Sequence, residues 1–343
     1  MDIDFAQLYL NLHAQLFDAG RIPMAVAALV LVAVAGFLTG PLRGNANPLI
    51  WQLWDALFGR LGDKLGKPGR ARADLLFRGF LVSAIAVVLA VLLGRAALLA
   101  DDFLHLYAVP EIFFVATCLT SGAVWASLLR LYKVLAKPGS EKGAYFAIAQ
   151  TTRLNLNTTD NFGITRAGMA LAARSLDKGV VAPVLWYLIG GLPLLFIYSA
   201  LAALAWRFGK DGFSKGFGDV PLALEKLAGA VPCALTSFLL TIASLITPKA
   251  GVARSLISWV AFKNAAPYAQ GGLPVSIMAY ALHISLGGPV QDLGGSSLKN
   301  KWVGPAKASA KVDHTHLQRG LYITVIAYIL WIAALLGAYV YGA

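Results

Sequence analysis

Long apolar runs with few or no charges alternate along this chain with stretches that hold nearly all of its lysine and arginine. The runs fall at about 23–39, 79–99, 112–131, 180–206, 228–247, 275–286 and 321–341. A helix needs roughly 20 apolar residues to cross a bilayer. Runs 23–39, 79–99, 112–131 and 321–341 therefore each predict one crossing. The central run, Val180 to Trp206, holds no Asp, Glu, Lys, Arg or His, and Gly190-Gly191-Leu192-Pro193 breaks it near its middle. Glycine frees the backbone and proline removes a donor. The run predicts either a helix pair that dips in and returns or one long, tilted, kinked helix. Pro232 interrupts 228–247, and 275–286 is short for a span. The topology between 180 and 290 stays open at this stage. The pattern as a whole predicts an all-α, polytopic membrane helix bundle forming a single domain over 1–343.

The polar stretches set an orientation. Arg43, Arg60, Lys64, Lys67, Arg70, Arg72 and Arg78 fall between the first two crossings, whereas 100–110 holds Asp101 and Asp102 and no Lys or Arg. Cytoplasmic loops carry the excess of Lys and Arg. This places 40–78, the stretch after Arg130, and the loop with Lys299, Lys301, Lys307, Lys311 and Arg319 in the cytoplasm, with both termini outside an inner membrane. Pro48 to Leu61, amphipathic with two tryptophans, predicts a helix along the interface. Residues 1–22 read as an amphipathic lead without the basic start of a signal peptide. Helices are also expected over 164–176 and 254–262.

Composition agrees. The 343 residues are 58% hydrophobic and 13% charged, with a mean hydropathy of +0.68, against about 25% charged in soluble domains. The net charge of +12 sits in loops between apolar runs, so membrane orientation and anionic lipid headgroups account for it and nucleic acid does not. Cys118 and Cys233 lie within apolar runs and read as packing residues.

Candidate chemistry is sparse. Arg174 and Lys178 lie one helical turn apart, with Arg166 two turns earlier. They read as an anion clamp, joined by Lys226, or simply as topology-setting charge. The glycine-rich stretch Gly287 to Ser297, with Gly288 inside it and Lys299 and Lys301 behind, predicts a loop whose free N–H groups cradle an anion or merely link helices. It is no Walker A loop. Asp313, His314 and His316 are potential metal ligands, but their spacing favours a helix start capped by Asp313. His283 reads as a core histidine or a partner for Asp292. No GxSxG turn occurs. Asp177, Glu225 and Asp292 are the candidate catalytic carboxylates, with Asp160 as a further acid.

The order of segments resembles the CobD/CbiB superfamily of membrane-bound adenosylcobinamide-phosphate synthases. The resemblance spans nearly the whole chain and is carried by Gly179, Ala182-Pro183, Gly190-Gly191-x-Pro193, Tyr198, Phe217-Gly218, Val231-Pro232, Leu286-Gly287-Gly288-Pro289, Lys301-x-Val303-Gly304 and Val312-Asp313. It implies ATP-dependent joining of adenosylcobyric acid to aminopropanol phosphate, with Mg²⁺ and ATP as cofactors. The family's acidic run E-x-x-x-E-N-x-x-D-G departs here: Ala170, Arg174, Ser175 and Lys178 stand in it, and only Gly179 is kept. Its Asp-Asp pair is Glu225-Lys226, and its later Lys, Asn and Asp are Ser199, Ala202 and Ala205. Mg²⁺ requires carboxylate oxygens, so Mg²⁺ and ATP are expected only if a displaced site built from Asp160, Asp177, Glu225 and Asp292 keeps the reaction. The expectation is a divergent member without the standard activity. Its partners would be lipids, a corrinoid intermediate or another membrane protein. The VAPVLWYLIGG stretch also resembles the AmpE-like regulatory branch, which lacks the LGGP loop.

Overall fold

The computed structural model describes residues 18–67, 69–104, 109–137, 145–209, 216–293 and 297–342. The lead before Asp18, the centre of the glycine-rich stretch at 294–296, and the side chains of Asp101, Asp102 and Lys299 lie outside the described residues. The elements are α1 (Arg21–Thr39), α2 (Leu49–Leu65), α3 (Arg72–Leu104), α4 (Val109–Thr117), α5 (Gly122–Ala136), α6 (Phe146–Thr152), α7 (Asn161–Leu176), a π-helical turn (Asp177–Val181), α8 (Ala182–Phe208), α9 (Asp219–Ile246), α10 (Val252–Val260), α11 (Gly272–Leu282), β1 (Leu286–Gln291), β2 (Ser297–Val303) and α12 (His314–Gly342).

Among the described residues, five helical stretches are long and apolar enough to cross a membrane: Arg21–Thr39, Arg72–Leu99, Asn161–Phe208, Asp219–Ile246 and His314–Tyr341. Their outer faces are aliphatic. Leu227, Val231, Phe238 and Leu245 on α9, and Ile329, Leu336 and Val340 on α12, stand exposed. Exposed apolar rows on this scale match lipid rather than water. α10 shows the same inversion in a short helix: Ser255 and Ser258 are buried while Leu256, Ile257 and Val260 face out. The Ser255 hydroxyl meets that of Ser244 on α9 at 2.9 Å.

Two sequence expectations need correction, and one open alternative is decided. The third crossing is not one helix. α4 and α5 are bent by 44° around the non-helical residues Cys118–Ser121. Such a break survives at membrane depth only when protein covers it, and Cys118, Leu119, Thr120 and Ser121 are all buried.

The central run is the helix pair that dips in and returns: it holds the turn of a longer hairpin that starts at Asn161. Ile148 of α6 lies 3.5 Å from where a Gly168 side chain would begin, and the Trp206 indole donates to the Thr151 carbonyl of the same short helix at 2.8 Å. Those two positions would be about 57 Å apart on a straight helix, and α6 is about 10 Å long. The chain must therefore double back, which rules out the single long helix. The reversal is at Gly190 (φ −143°, ψ 24°) and Gly191 (φ 65°, ψ −157°). The second geometry is open to glycine and closed to nearly all else, and Pro193 then starts the returning limb.

The glycine-rich loop is a β-hairpin. β1 and β2 pair antiparallel, with Gly288 opposite Asn300, Pro289 opposite Lys299, and a bulge between Leu286 and Gly288. A bridge from Leu154 to Asp292 ties it to the chain after α6.

Candidate functional site

Two adjoining features are built on α7 and the turn that follows it. The first is a cleft. Asp160 caps α7 by accepting the Gly163 N–H at 2.7 Å, as a short acidic side chain does at a helix start. Gly163, Arg166, Ala167, Ala170, Leu171 and Arg174 then share one face at helical spacing and line one wall. Gly287, Pro289, Val290 and Asn300 of the hairpin line the other, with Ala269 and Gln270 at one end. The space, open mouth included, is about 810 Å³, within the range of small-molecule sites.

No lining residue is acidic. Arg166 is held in place by its bond to the Ala310 carbonyl at 2.7 Å and by stacking over Trp302 at 5.2 Å, while its Nε has no partner. Arg174 makes no hydrogen bond or ion pair among the described residues. Arg166 and Arg174 are eight residues apart, about 12 Å along the helix axis. The cleft thus presents two fixed positive charges on a surface otherwise made of apolar, hydroxyl and amide side chains.

The second feature lies deeper. The π-helical turn Asp177–Val181 widens the backbone by one residue, as such turns do where function or packing demands it. Lys178 Nζ bonds Glu225 Oε2 of α9 at 2.8 Å, with side-chain exposures of 10% and 0%. The ammonium lies 4.3 Å from the centre of the Tyr268 ring. Tyr268 donates its hydroxyl to Glu225 Oε1 at 2.8 Å, and burial followed by the Glu225 charge pushes that phenol far up, so it remains a donor. Thr236 donates to Asp177 at 3.3 Å. The buried Tyr198 hydroxyl has no partner. Arg174 lies nearby on the cleft side and bonds neither acid.

The turn also explains the retained glycine. Thr120, in the α4–α5 break, donates its N–H to the Gly179 carbonyl at 2.9 Å, and its hydroxyl to the Ala46 carbonyl. A Cβ on residue 179 would stand 2.5 Å from Thr120 Cγ2. Two irregular backbones satisfy each other here.

The other anticipated residues scatter. Lys226 is exposed, beside the buried Glu225. The expected wall of Arg174, Lys178 and Lys226 is therefore not assembled: Lys178 is consumed by Glu225, and Lys226 faces away. Of the four acids of the displaced site, Asp177 and Glu225 share the interior cluster, Asp160 is spent as a cap, and Asp292 sits in the bridge to Leu154. Gly287 and Gly288 belong to the hairpin bulge. Lys301 offers its backbone N–H to Gln270 at 3.2 Å while its side chain is exposed. Asp313 caps α12, accepting from Thr315 and His316, and His314 rests against Tyr132. Among the described residues, no three His, Cys, Asp or Glu side chains gather. His283 is neither a core residue nor a partner of Asp292. It is exposed and closes α11 in the left-handed conformation (φ 56°), where glycine is the usual choice. Sequence reasoning missed Tyr268 and Thr120. A glutamate just before an apolar run was the available signal, since it demands a cationic and a donor partner.

A family model described as CobD/Cbib protein matches residues 48–324. The Cobalamin biosynthesis protein CobD of Brucella anthropi is 30% identical over 257 residues, covering 71% of this chain and 77% of that protein. The protein of the same name from Sinorhizobium fredii is 27% identical over 299 residues, covering 83% and 90%. The one from Brucella suis is 29% identical over 189 residues, covering 54% and 57%. No solved structure matches the chain. The matched region runs from the start of α2 into α12 and takes in the cleft and the interior cluster alike. This polytopic membrane protein belongs to the CobD/Cbib family.

Proposed function

We propose that this chain is a divergent member of its family that serves corrinoid assembly in the inner membrane. It binds an anionic ligand in the α7–hairpin cleft, on the cytoplasmic side, and does not perform the standard synthase reaction. The carrying observation is the cleft wall, which offers Arg166 and Arg174 and no carboxylate. Magnesium-bound ATP needs carboxylate oxygens to seat the metal. The walls do not fit that group. Guanidinium groups suit phosphate or carboxylate. A corrinoid intermediate bears such groups, and the names of the relatives favour that ligand class over lipid or a protein partner. The Lys and Arg bias of 40–78 and 299–319 supports the orientation.

A second reading, an active synthase with a displaced centre, draws on Asp177 and Glu225 in one cluster. Against it, Glu225 is already engaged by Lys178 and Tyr268. The AmpE-like regulatory reading rests on the central apolar stretch alone. The test is complementation of a synthase-deficient strain fed cobyric acid. The expected outcome is no growth, and rescue by the wild-type chain would overturn the non-catalytic reading. In nanodiscs, titration with aminopropanol phosphate or cobyric acid should give binding that Arg174→Gln weakens at least tenfold. Equal affinity in that variant would remove the cleft from the proposal.

A further inference from the structure

A second charged cavity lies at the far end of the α7–α8 hairpin. Gly190 follows Arg174 by 16 residues, about 24 Å along a helical limb, so this cavity and the cleft stand at opposite ends of it. Three spans end there together: α1 begins at Arg21, the span of α3 closes at Leu99, and the hairpin reverses at Gly190-Gly191. Asp18, Arg21, Arg95 and Glu111 line the space together with the two glycines, and its volume, open mouth included, is about 1410 Å³. The fold aims most of these charges. Arg21 donates to the Leu188 carbonyl at 3.3 Å and lies across Gly191, where a Cβ would stand 3.3 Å from its guanidinium. Glu111, in the first turn of α4, accepts the hydroxyl of the fully buried Tyr187 at 2.8 Å. Asp18 accepts the Gly20 N–H at 2.9 Å. The Arg95 side chain is exposed and makes no hydrogen bond among the described residues. Among those residues, no ion pair involves any of the four.

Two acids and two bases around one space sum to zero. A simple anion gains from the guanidiniums what it loses to the carboxylates, and a simple cation does the reverse. A group that carries both charges gains at both ends. We propose that this cavity is a headgroup site for a zwitterionic phospholipid of the phosphatidylethanolamine class. The phosphate is received by Arg21 and Arg95, since guanidinium matches phosphate geometry, and the ammonium by Glu111 and Asp18. The source is lipid because the rim of the cavity borders hydrocarbon. Leu92 and Leu99, on either side of Arg95 along α3, are exposed. An arginine so placed lays its stem in the apolar layer and lifts its head to the phosphates. The bilayer holds such headgroups at that level permanently. The site is independent of the cleft in its place, in its charge balance and in its ligand.

The test is native mass spectrometry of the full chain in detergent. Phosphatidylethanolamine and phosphatidylglycerol with identical acyl chains are the probes, offered in equal amounts. The wild-type chain should retain phosphatidylethanolamine about fivefold better, the effect of a charge-assisted hydrogen bond partly screened by solvent. Arg95→Gln should lower the retention of both lipids, because both carry the phosphate. Glu111→Gln, whose amide oxygen still accepts from Tyr187, should abolish the preference and leave phosphatidylglycerol retained at least as well. N-acetylated phosphatidylethanolamine lacks the ammonium, and the wild type should retain it no better than phosphatidylglycerol, so the answer does not depend on the folding of any variant. Equal retention of the two probes by the wild type overturns the proposal. So does a preference that survives Glu111→Gln, or retention unchanged by Arg95→Gln. Glycerophosphoethanolamine, the headgroup without its chains, binding as tightly as the intact lipid would give the cavity to a soluble zwitterion and overturn the lipid.

Discussion

The cleft and the interior cluster share a helix and an arginine, yet they treat charge in opposite ways. In the cluster every charge has an answer: Lys178 meets Glu225, Glu225 also receives Tyr268, and Asp177 receives Thr236. In the cleft the charge is left over. Arg174 has no bonded partner, and Arg166 keeps a free Nε. A fold stabilises itself with the first arrangement and receives something else with the second. Charge placed where nothing in the chain neutralises it is the better marker of a ligand site, and here it separates two groups of residues a single helical turn apart.

That contrast can be tested from its strong end downward. Removing one partner of the buried pair, by Lys178→Ala or Glu225→Ala, should cost about 3–5 kcal/mol. Lys178→Met with Glu225→Leu should recover most of it. Chemical unfolding in detergent measures this, and single variants no worse than the double would mean that the pair does not act as a unit. Gly179→Ala drives a methyl into Thr120 and should cost about 1–3 kcal/mol. Thr120→Ser, which trims the colliding methyl but keeps the hydroxyl on Ala46, should relieve part of that loss. No relief would move the strain elsewhere in the turn.

Arg174→Gln, at the cleft, should change stability by no more than about 0.5 kcal/mol while weakening anion binding. A large stability loss would reclassify Arg174 as part of the interior balance. The smallest effect belongs to Asp313, outside both features. Burial alone would raise its pKa, but bonds from Thr315 and His316 outweigh that and hold it at about 2. A carboxylate depressed in the folded state adds stability above its unfolded pKa of about 3.9 and loses it as pH falls from there toward 2. The side chain is 46% exposed, so solvent and salt trim the contribution. Asp313→Asn should flatten the acid limb of the stability curve slightly, and an unchanged limb would remove Asp313 from it.

How much of this was legible in the sequence follows from the range of each interaction. α1, α3 and α12 were plain because an unbroken apolar run and its flanking charges are local facts. The break at Cys118–Ser121 was not, since what holds it is the Gly179 carbonyl and the Ala46 carbonyl, both remote in sequence. Arg174 and Lys178 looked like the basic rim of the central run. Lys178 is instead carried into the bundle, because Glu225 neutralises from a different helix a charge that the local pattern assigns to water, while Arg174 lines the cleft. The hairpin hid behind its glycines. Gly287 and Gly288 read as a loose loop, yet they serve a bulge where the Lys301 carbonyl approaches too closely for a Cβ. The cleft was half visible. Its α7 face shows in the spacing of Arg166 and Arg174, and its other wall depends on strand pairing that no short-range rule announces.

The order of the ion pair along the chain has a consequence for biogenesis. Lys178 leaves the ribosome 47 residues ahead of Glu225. Until α9 follows, the translocating segment carries an unanswered ammonium and Arg174 toward hydrocarbon, a placement costly for a lone helix. The limb from Asn161 and its return through Phe208 therefore gain little by settling first. Lateral release into lipid becomes favourable once the later helix brings the carboxylate alongside.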